Sequence, residues 1–288
     1  IIDQSLESGI DEIAFIIGYK GNQIKEFVET SYSFNYTFYE QKEMFGLGYA
    51  VGLAEDFLID EPVFIILGDT VFDVNIKPVF NSEFSTLGVK EVKDPRRFGT
   101  AELDKNGFIT QLVEKPSEPR SNLVLVGLYY FKSGRILKEA IGDLISRGRK
   151  TEGEFQITDA IQIMIDNGEK VKTFNVEGWY DCGKPETILA TNRYLLNTNN
   201  YERKIEGSLI QHPVHIDDTA EIENSIIGPY TTVARDAIIK NSILVNSIVG
   251  DNSIITDVSM KDSIIGSKSK VTGSFNTLNI GDFSEINL

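Results

Sequence analysis

The 288-residue chain has one cysteine, Cys182, and two histidines, His212 and His215. A single thiol excludes an internal disulfide framework and fits a reducing, cytoplasmic setting. Two histidines leave too little for a His-rich metal centre, and a Ser-His-Asp triad is not expected either. Long hydrophobic runs are missing as well. No stretch approaches the ~18 uncharged apolar residues of a membrane span, and no secretory signal is visible. Positive charge is scarce: 28 Lys and Arg stand against 43 Asp and Glu, for a net charge of −15. A general nucleic-acid surface needs a basic stripe, so nucleic acid and membrane are not expected as partners. Anionic small ligands stay open, because they need only a local basic cluster or a metal ion. A starting methionine is lacking too. The chain begins Ile1-Ile2-Asp3-Gln4, inside a helical pattern, and is expected to be a piece of a longer protein.

What is present reads as globular: 41% hydrophobic and 25% charged residues, enough chain for one large or two ordinary domains. The first two hundred residues alternate helix and strand signals. Helices are predicted at 2–9, 21–31, 46–58, 133–147, 157–167 and 184–197. A buried strand followed by a loop is predicted over 11–20, and strands at 36–41, 62–69, 85–92, 107–113, 123–131 and 170–176. Short apolar runs separated by helical patterns imply β-α-β units and a Rossmann-like, mostly parallel sheet in an α/β domain over residues 1–200. In open sheets of this kind ligands collect at the carboxyl ends of strands. The apolar run of "PVFIILGD" (62–69) stops at Gly68-Asp69, so Asp69 falls at such an end.

From about residue 205 the pattern changes. "SLI" (208), "SIIG" (225), "SIL" (242), "SIVG" (247) and "SIIG" (263) recur, and aliphatics fall six residues apart, as in Ile227, Val233 and Ile239. Three six-residue steps make one coil of a parallel β-helix of hexapeptide repeats, predicted over 205–288. Ordinary short antiparallel strands are the alternative, which a period of six fits poorly. "NTNNYERK" (197–204) is the expected junction.

Seven motifs follow in order: "GLGYA" (46–50), "LGDT" (67–70), "FGTAELD" (98–104), "VEKPSEP" (113–119), "GLYYF" (127–131), "GEFQITDAI" (153–161) and "GWYDCGKPE" (178–186). Together with the tail they resemble the sugar-1-phosphate nucleotidylyltransferases, the long form of glucose-1-phosphate thymidylyltransferase above all, in which the tail is a left-handed β-helix. The resemblance implies transfer of a nucleotidyl group from a nucleoside triphosphate, dTTP or UTP, to a sugar-1-phosphate such as glucose-1-phosphate. Pyrophosphate would leave and Mg²⁺ would serve as cofactor. It implies metal-binding roles for Asp69 and for Asp181, which follows Trp179 in "W-x-D-x-G". Two carboxylates suit a hard dication that also holds phosphate oxygens, although either Asp alone reads equally as a cap or turn residue. The resemblance further gives Glu114 to sugar hydroxyls and Lys115 to the sugar phosphate. It places Gly99 where backbone approaches the sugar, Tyr129 and Trp179 in the sugar pocket, and Gln41 with Gly46 at the base. A Gln amide can donate and accept at once, as the edge of thymine or uracil requires.

Departures matter as much. The glycine-rich G-G-x-G-T-R loop of that family is absent and would lie just ahead of Ile1. Without its first strand and phosphate loop, this chain alone is expected to be inactive. Thr70 stands where thymidylyltransferases often have Asn, and Glu152 stands where a basic residue often precedes Gly153-Glu154. A second reading is a non-catalytic regulatory or scaffold homologue, which the retention of Asp69, Asp181, Glu114 and Lys115 disfavours. The tail reads as architectural, a packing surface for a homo-oligomer.

Overall fold

The computed structural model describes residues 1–198, 203–273 and 277–287, and the side chains of Asp181 and Asn287 lie outside it. Residues 199–202 of the expected junction are thus outside the described residues. The chain divides into two compact units: Ile1–Gly68 with Phe72–Trp179, and Asp69–Val71 with Tyr180–Leu288.

The elements run α1 (Ile2–Glu7), β1 (Glu12–Ile17), α2 (Gly21–Ser31), β2 (Asn35–Glu40), α3 (Leu47–Gly52), β3 (Val63–Ile66), β4 (Thr70–Asp73), β5 (Ser85–Glu91), β6 (Gly99–Leu103) and β7 (Ile109–Glu114). They continue with β8 (Leu123–Phe131), α4 (Gly134–Ser146), α5 (Ile157–Asp166), β9 (Val171–Asn175), β10 (Gly178–Asp181) and α6 (Pro185–Thr198). The expected α/β class is present. Parallel pairing joins β1 to β2 and β5 to β9. The six-stranded sheet runs β7-β6-β8-β5-β9, with β3 also on β8, and β8 is antiparallel to β3, β5 and β6. Strand β8, LVLVGLYYF, contains no charge and is buried from Val124 to Phe131, as a strand covered on both faces must be. Helix α4 presents Leu137, Ala140, Ile141 and Leu144, and α5 presents Ile157, Ile161 and Met164, to one core with Leu87 and Phe131. Their three- and four-residue spacing is one helical stripe.

Two local differences from expectation have physical causes. The helix expected over 46–58 stops at Gly52, and the chain goes on in i→i+3 turns such as Leu53 N–H to Ala50 O and Phe57 N–H to Ala54 O. A Cβ on Gly52 would lie 3.1 Å from Cγ2 of Ile141, so this glycine serves close approach to α4. Strands β4, β6 and β10 were not expected at all; each is four or five residues long, too short to show a periodicity.

The tail folds into three sheets in which every pairing is parallel. The first contains Leu209–Ile210, Ile226–Ile227, Ile243–Val245 and Ser259–Lys261. Parallel partners this close in sequence require the chain to coil, which is the expected β-helix. Register shows the coil to be shorter than three hexapeptides: Leu209 pairs Ile226, Ile226 pairs Ile243, and Ile243 pairs Ser259. The corners save residues by turning at single left-handed positions, among them Asn224, Asn241, Asp257, Asn246, Asp262, Asp236 and Asn252. Asn and Asp tolerate that conformation better than other side chains.

The recurrent serines satisfy these corners. Ser242 accepts the Val258 N–H at 3.2 Å and donates to the Lys240 carbonyl at 2.6 Å. Its own N–H goes to Ser225 Oγ at 3.0 Å, and Ser225 donates to Glu223 O. Inside the coils Ile227, Val233, Ile239, Leu244, Val249 and Ile255 are fully buried. Within this unit α6 is tied to the coils by Thr232 Oγ1 donating to Asn192 Oδ1 at 2.6 Å and Arg193 to Asn246 Oδ1 at 3.0 Å.

Ser242→Ala leaves the buried Val258 N–H without this partner, while the Lys240 carbonyl keeps the Asp257 N–H. The expected loss is about 1–3 kcal/mol, read as an earlier denaturant midpoint for the tail; an unchanged midpoint would refute the relay.

Candidate active site

The site grows from the β6–β7 pair, which sets Gly99 opposite Glu114. A Cβ on Gly99 would meet Glu114 Oε2 at 3.0 Å, Thr158 Oγ1 at 3.1 Å and Leu125 Cδ1 at 3.2 Å. A side chain there would make these three neighbours give by a few tenths of an ångström, so the position is a tight fit for anything but glycine. Thr158, in the first turn of α5, donates its hydroxyl to Glu114 Oε2 at 2.7 Å. Burial pushes the Glu114 carboxyl above the usual glutamate range; the Thr158 bond and the Lys115 charge pull the other way, while Asp159 and Glu152 add to the rise. Tyr129, on β8, is buried in the core. Burial first, then the charge of Glu114, drive its phenol far above the usual range, against a hydrogen bond from the Gly127 backbone.

Lys115 follows directly, with its N–H bonded to Phe98 O at 3.1 Å. Its ammonium donates to Glu152 Oε2 at 3.0 Å, and this bond raises its pKa. Glu152 is the tip of a two-residue reverse turn. Thr151 and Glu154 exchange both backbone hydrogen bonds, at 2.9 and 3.1 Å, and Glu152 and Gly153 both have positive φ, 54° and 84°. Such a turn needs left-handed backbone at both central residues. Its base is fixed by Thr151 Oγ1 donating to the buried Asp159 at 2.7 Å, with Arg149 3.7 Å from the same carboxylate.

Gln41 and Gly46 lie on the loop between β2 and α3. Gln41 donates its side-chain amide to Glu43 O at 3.2 Å. Gly46 has φ 106°, and a Cβ there would fall 2.7 Å from Phe155 O. Phe155 N–H bonds Phe45 O, and Gly48 N–H bonds Phe155 O. The loop is thus stitched to the segment that presents Glu152 and Thr158. Trp179 sets its ring edge-on to Phe98, centroids 5.0 Å apart. Among the described residues its indole N–H, a buried donor, has no hydrogen-bond partner. In the first unit, then, the structure gathers Gly99, Glu114, Lys115, Tyr129 and Trp179, with Gly46 against Phe155 and Gln41 on the same loop as Gly46.

Asp69 and Asp181 belong to the second unit. Strands β4 and β10 pair, and Cys182 N–H donates to Asp69 O at 2.9 Å, so the backbones of the two aspartates are brought side by side. Asp69 is exposed, and the Thr70 hydroxyl donates to its Oδ1 at 3.2 Å. The Asp181 side chain lies outside the described residues. Among the described residues no group of three or more His, Cys, Asp or Glu could hold a metal ion.

A model of the nucleotidyl transferase family matches residues 1–198. The chain belongs to that family. The nucleotidyltransferase is 32% identical over 300 residues to the low-salt glycan biosynthesis nucleotidyltransferase Agl11 of Haloferax volcanii, covering 92% of this chain and 82% of that one. It is 31% identical over 318 residues to a glucose-1-phosphate thymidylyltransferase of Streptomyces antibioticus, covering 98% and 87%. A solved UDP-glucose pyrophosphorylase complexed with UDP-glucose shares the fold, with a TM-score of 0.58 at 23% identity over 68% of this chain and 85% of that one. No helix among the described residues is long and apolar enough to cross a membrane.

Thr158 and Asp159 went unassigned at the sequence level. Both sit inside "GEFQITDAI", which was read only as a whole motif; a Thr-Asp pair opening a helix after a glycine turn was the available signal.

Because the folded-state pKa of Glu114 is raised, its contribution to stability is full below its unfolded value and is lost as pH rises through the folded value. Glu114→Gln removes that loss while keeping an acceptor for Thr158. Denaturation series from pH 4 to 8 should show the variant gaining on the parent as pH rises; a pH-independent difference would contradict the burial argument.

Proposed function

We propose that this chain carries the transfer of a nucleotidyl group from dTTP or UTP to a sugar-1-phosphate, glucose-1-phosphate first, with release of pyrophosphate. The observation that supports it most is the desolvated Glu114 acceptor held by Thr158 beneath Gly99, with the Lys115 ammonium one residue on. A half-buried acceptor beside a cation matches a ligand carrying hydroxyls at one end and phosphate at the other. Glu114 would accept from sugar hydroxyls and Lys115 would hold the phosphate, whose oxygen attacks the α-phosphorus in line. Gly99 admits the sugar close to the backbone, and Trp179 and Tyr129 shape the apolar surroundings. Gln41 and Gly46 would read the pyrimidine edge. The likeness to the Streptomyces thymidylyltransferase favours dTTP, and UTP presents the same edge.

Asp69 and Asp181 offer hard oxygen donors from adjacent strand ends, a set that suits Mg²⁺ better than a soft metal. When bound there, such an ion supplies charge neutralisation for the reacting phosphates. The chain's own part is positioning and electrostatics, which dominate phosphoryl-type transfer. The β-helix is read as the packing surface of a homo-oligomer.

Pyrophosphate release from a panel of triphosphates and sugar-1-phosphates, with full-length protein, tests the reading. Asp69→Asn and Asp181→Asn should each lower kcat about 10²- to 10³-fold, on the scale of a lost electrostatic stabiliser. Undiminished turnover in either variant would remove the metal assignment, and silence across the panel would remove the reaction.

A further inference from the structure

Lys115, the residue read above as the phosphate holder, already has an anion. Its Nζ lies 3.0 Å from Glu152 Oε2. The two partners differ from an ordinary surface pair in how firmly their backbones are set. Lys115 has left-handed backbone, φ 43°, is anchored through Phe98 O, and is followed by Pro116. Glu152 is carried on the tip of the closed Thr151–Glu154 turn, whose base is pinned to the buried Asp159. The side chains themselves are not buried, being 40% and 57% exposed. An exposed pair of this kind is weakly held. It opens by side-chain rotation alone, with neither backbone anchor disturbed.

We propose that Glu152 is a resident competitor for the phosphate subsite: a carboxylate latch on Lys115 that an incoming sugar phosphate displaces. This rests on the phosphate-binding reading of Lys115. Glu152 thereby sets how strong an anion must be to enter. A neutral sugar cannot release the lysine, a carboxylate gains nothing by exchanging for another carboxylate, and a phosphate monoester with nearly two charges gains on both counts. Glu154, two residues on in the same turn, serves as the control, because its carboxylate is bonded by Gln156 Nε2 at 3.2 Å and its influence on Lys115 is by charge alone.

The test is calorimetric titration of the full-length protein with glucose 1-phosphate. Glu152→Gln should bind about threefold or more tightly, the scale of one exposed ion pair, and lower the KM for that substrate more than it alters kcat. Glu152→Asp should return toward the parent. Glu154→Gln should tighten binding clearly less than Glu152→Gln. Equal gains in both Gln variants would mean bulk charge and would overturn the latch, as would unchanged or weaker binding in Glu152→Gln. Lys115→Met separates the two readings. Weaker binding there upholds the phosphate role whatever Glu152 does, and unchanged binding ends that role and the latch with it.

Discussion

A carboxylate partly withdrawn from water is costly to charge, and it is held in place by the groups that touch it. Glu114 is that group in this nucleotidyltransferase. Its burial demands the Thr158 hydroxyl at 2.7 Å, which demands that α5 begin where it does. The contact makes position 99 a tight fit for a side chain, and Gly99 lies directly opposite on β6. The segment feeding α5 is set in turn by the Thr151–Glu154 turn and by Phe155, which is bonded to the loop bearing Gln41 and Gly46. A half-buried acceptor discriminates too, because a ligand lacking the matching hydroxyl leaves a partly desolvated oxygen without its partner.

The second unit solves a different problem by similar means. A coil of parallel two- and three-residue strands reverses direction at closely spaced corners, and every corner threatens to bury unpaired amides. Serines such as Ser225, Ser242 and Ser247 answer it by accepting from the next coil and donating to their own corner, and the left-handed Asn and Asp residues shorten each coil below eighteen. Asn224, Asn241 and Asp257 add a side-chain ladder along one edge. Ordering these polar groups is what lets a mostly Ile and Val interior, with Leu244, Met260 and two alanines, stack without gaps in its hydrogen bonding. The partition of the chain gives Asp69 and Asp181 to this unit, because the pairing of β4 with β10 ties them together and α6 follows directly from β10.

How much of this the residues announced varies with length scale. The long buried runs, β8 and α4 among them, declared their type through uninterrupted apolarity or a helical stripe. The tail was legible from its aliphatic step of six. Its true coil was not, because corner conformation decides coil length and a single left-handed Asn carries no periodic signature. Short strands such as β6 and β10 were invisible for the same reason. At the site, Gly99, Glu114 and Lys115 were legible as a group through their motifs. The dependence of Glu114 on Thr158 was not, since it joins residues 44 apart through one hydroxyl. Trp179 was expected at a pocket, and the structure adds a buried indole N–H with no partner among the described residues, which no pattern of letters encodes.

Glu152 is where the sequence departs from expectation and the structure gives the departure a meaning. A basic residue at that position would add to Lys115 and raise the attraction for any anion. A glutamate on a rigid turn instead makes attraction conditional on charge. The exchange replaces one carboxylate by a phosphate monoester, so its driving force is the difference between about one and nearly two negative charges. That difference shrinks as the phosphate takes up its second proton near pH 6. A bare lysine would hold both the monoanion and the dianion, whereas the glutamate weakens every anion by the same factor and leaves useful affinity only to the more highly charged one.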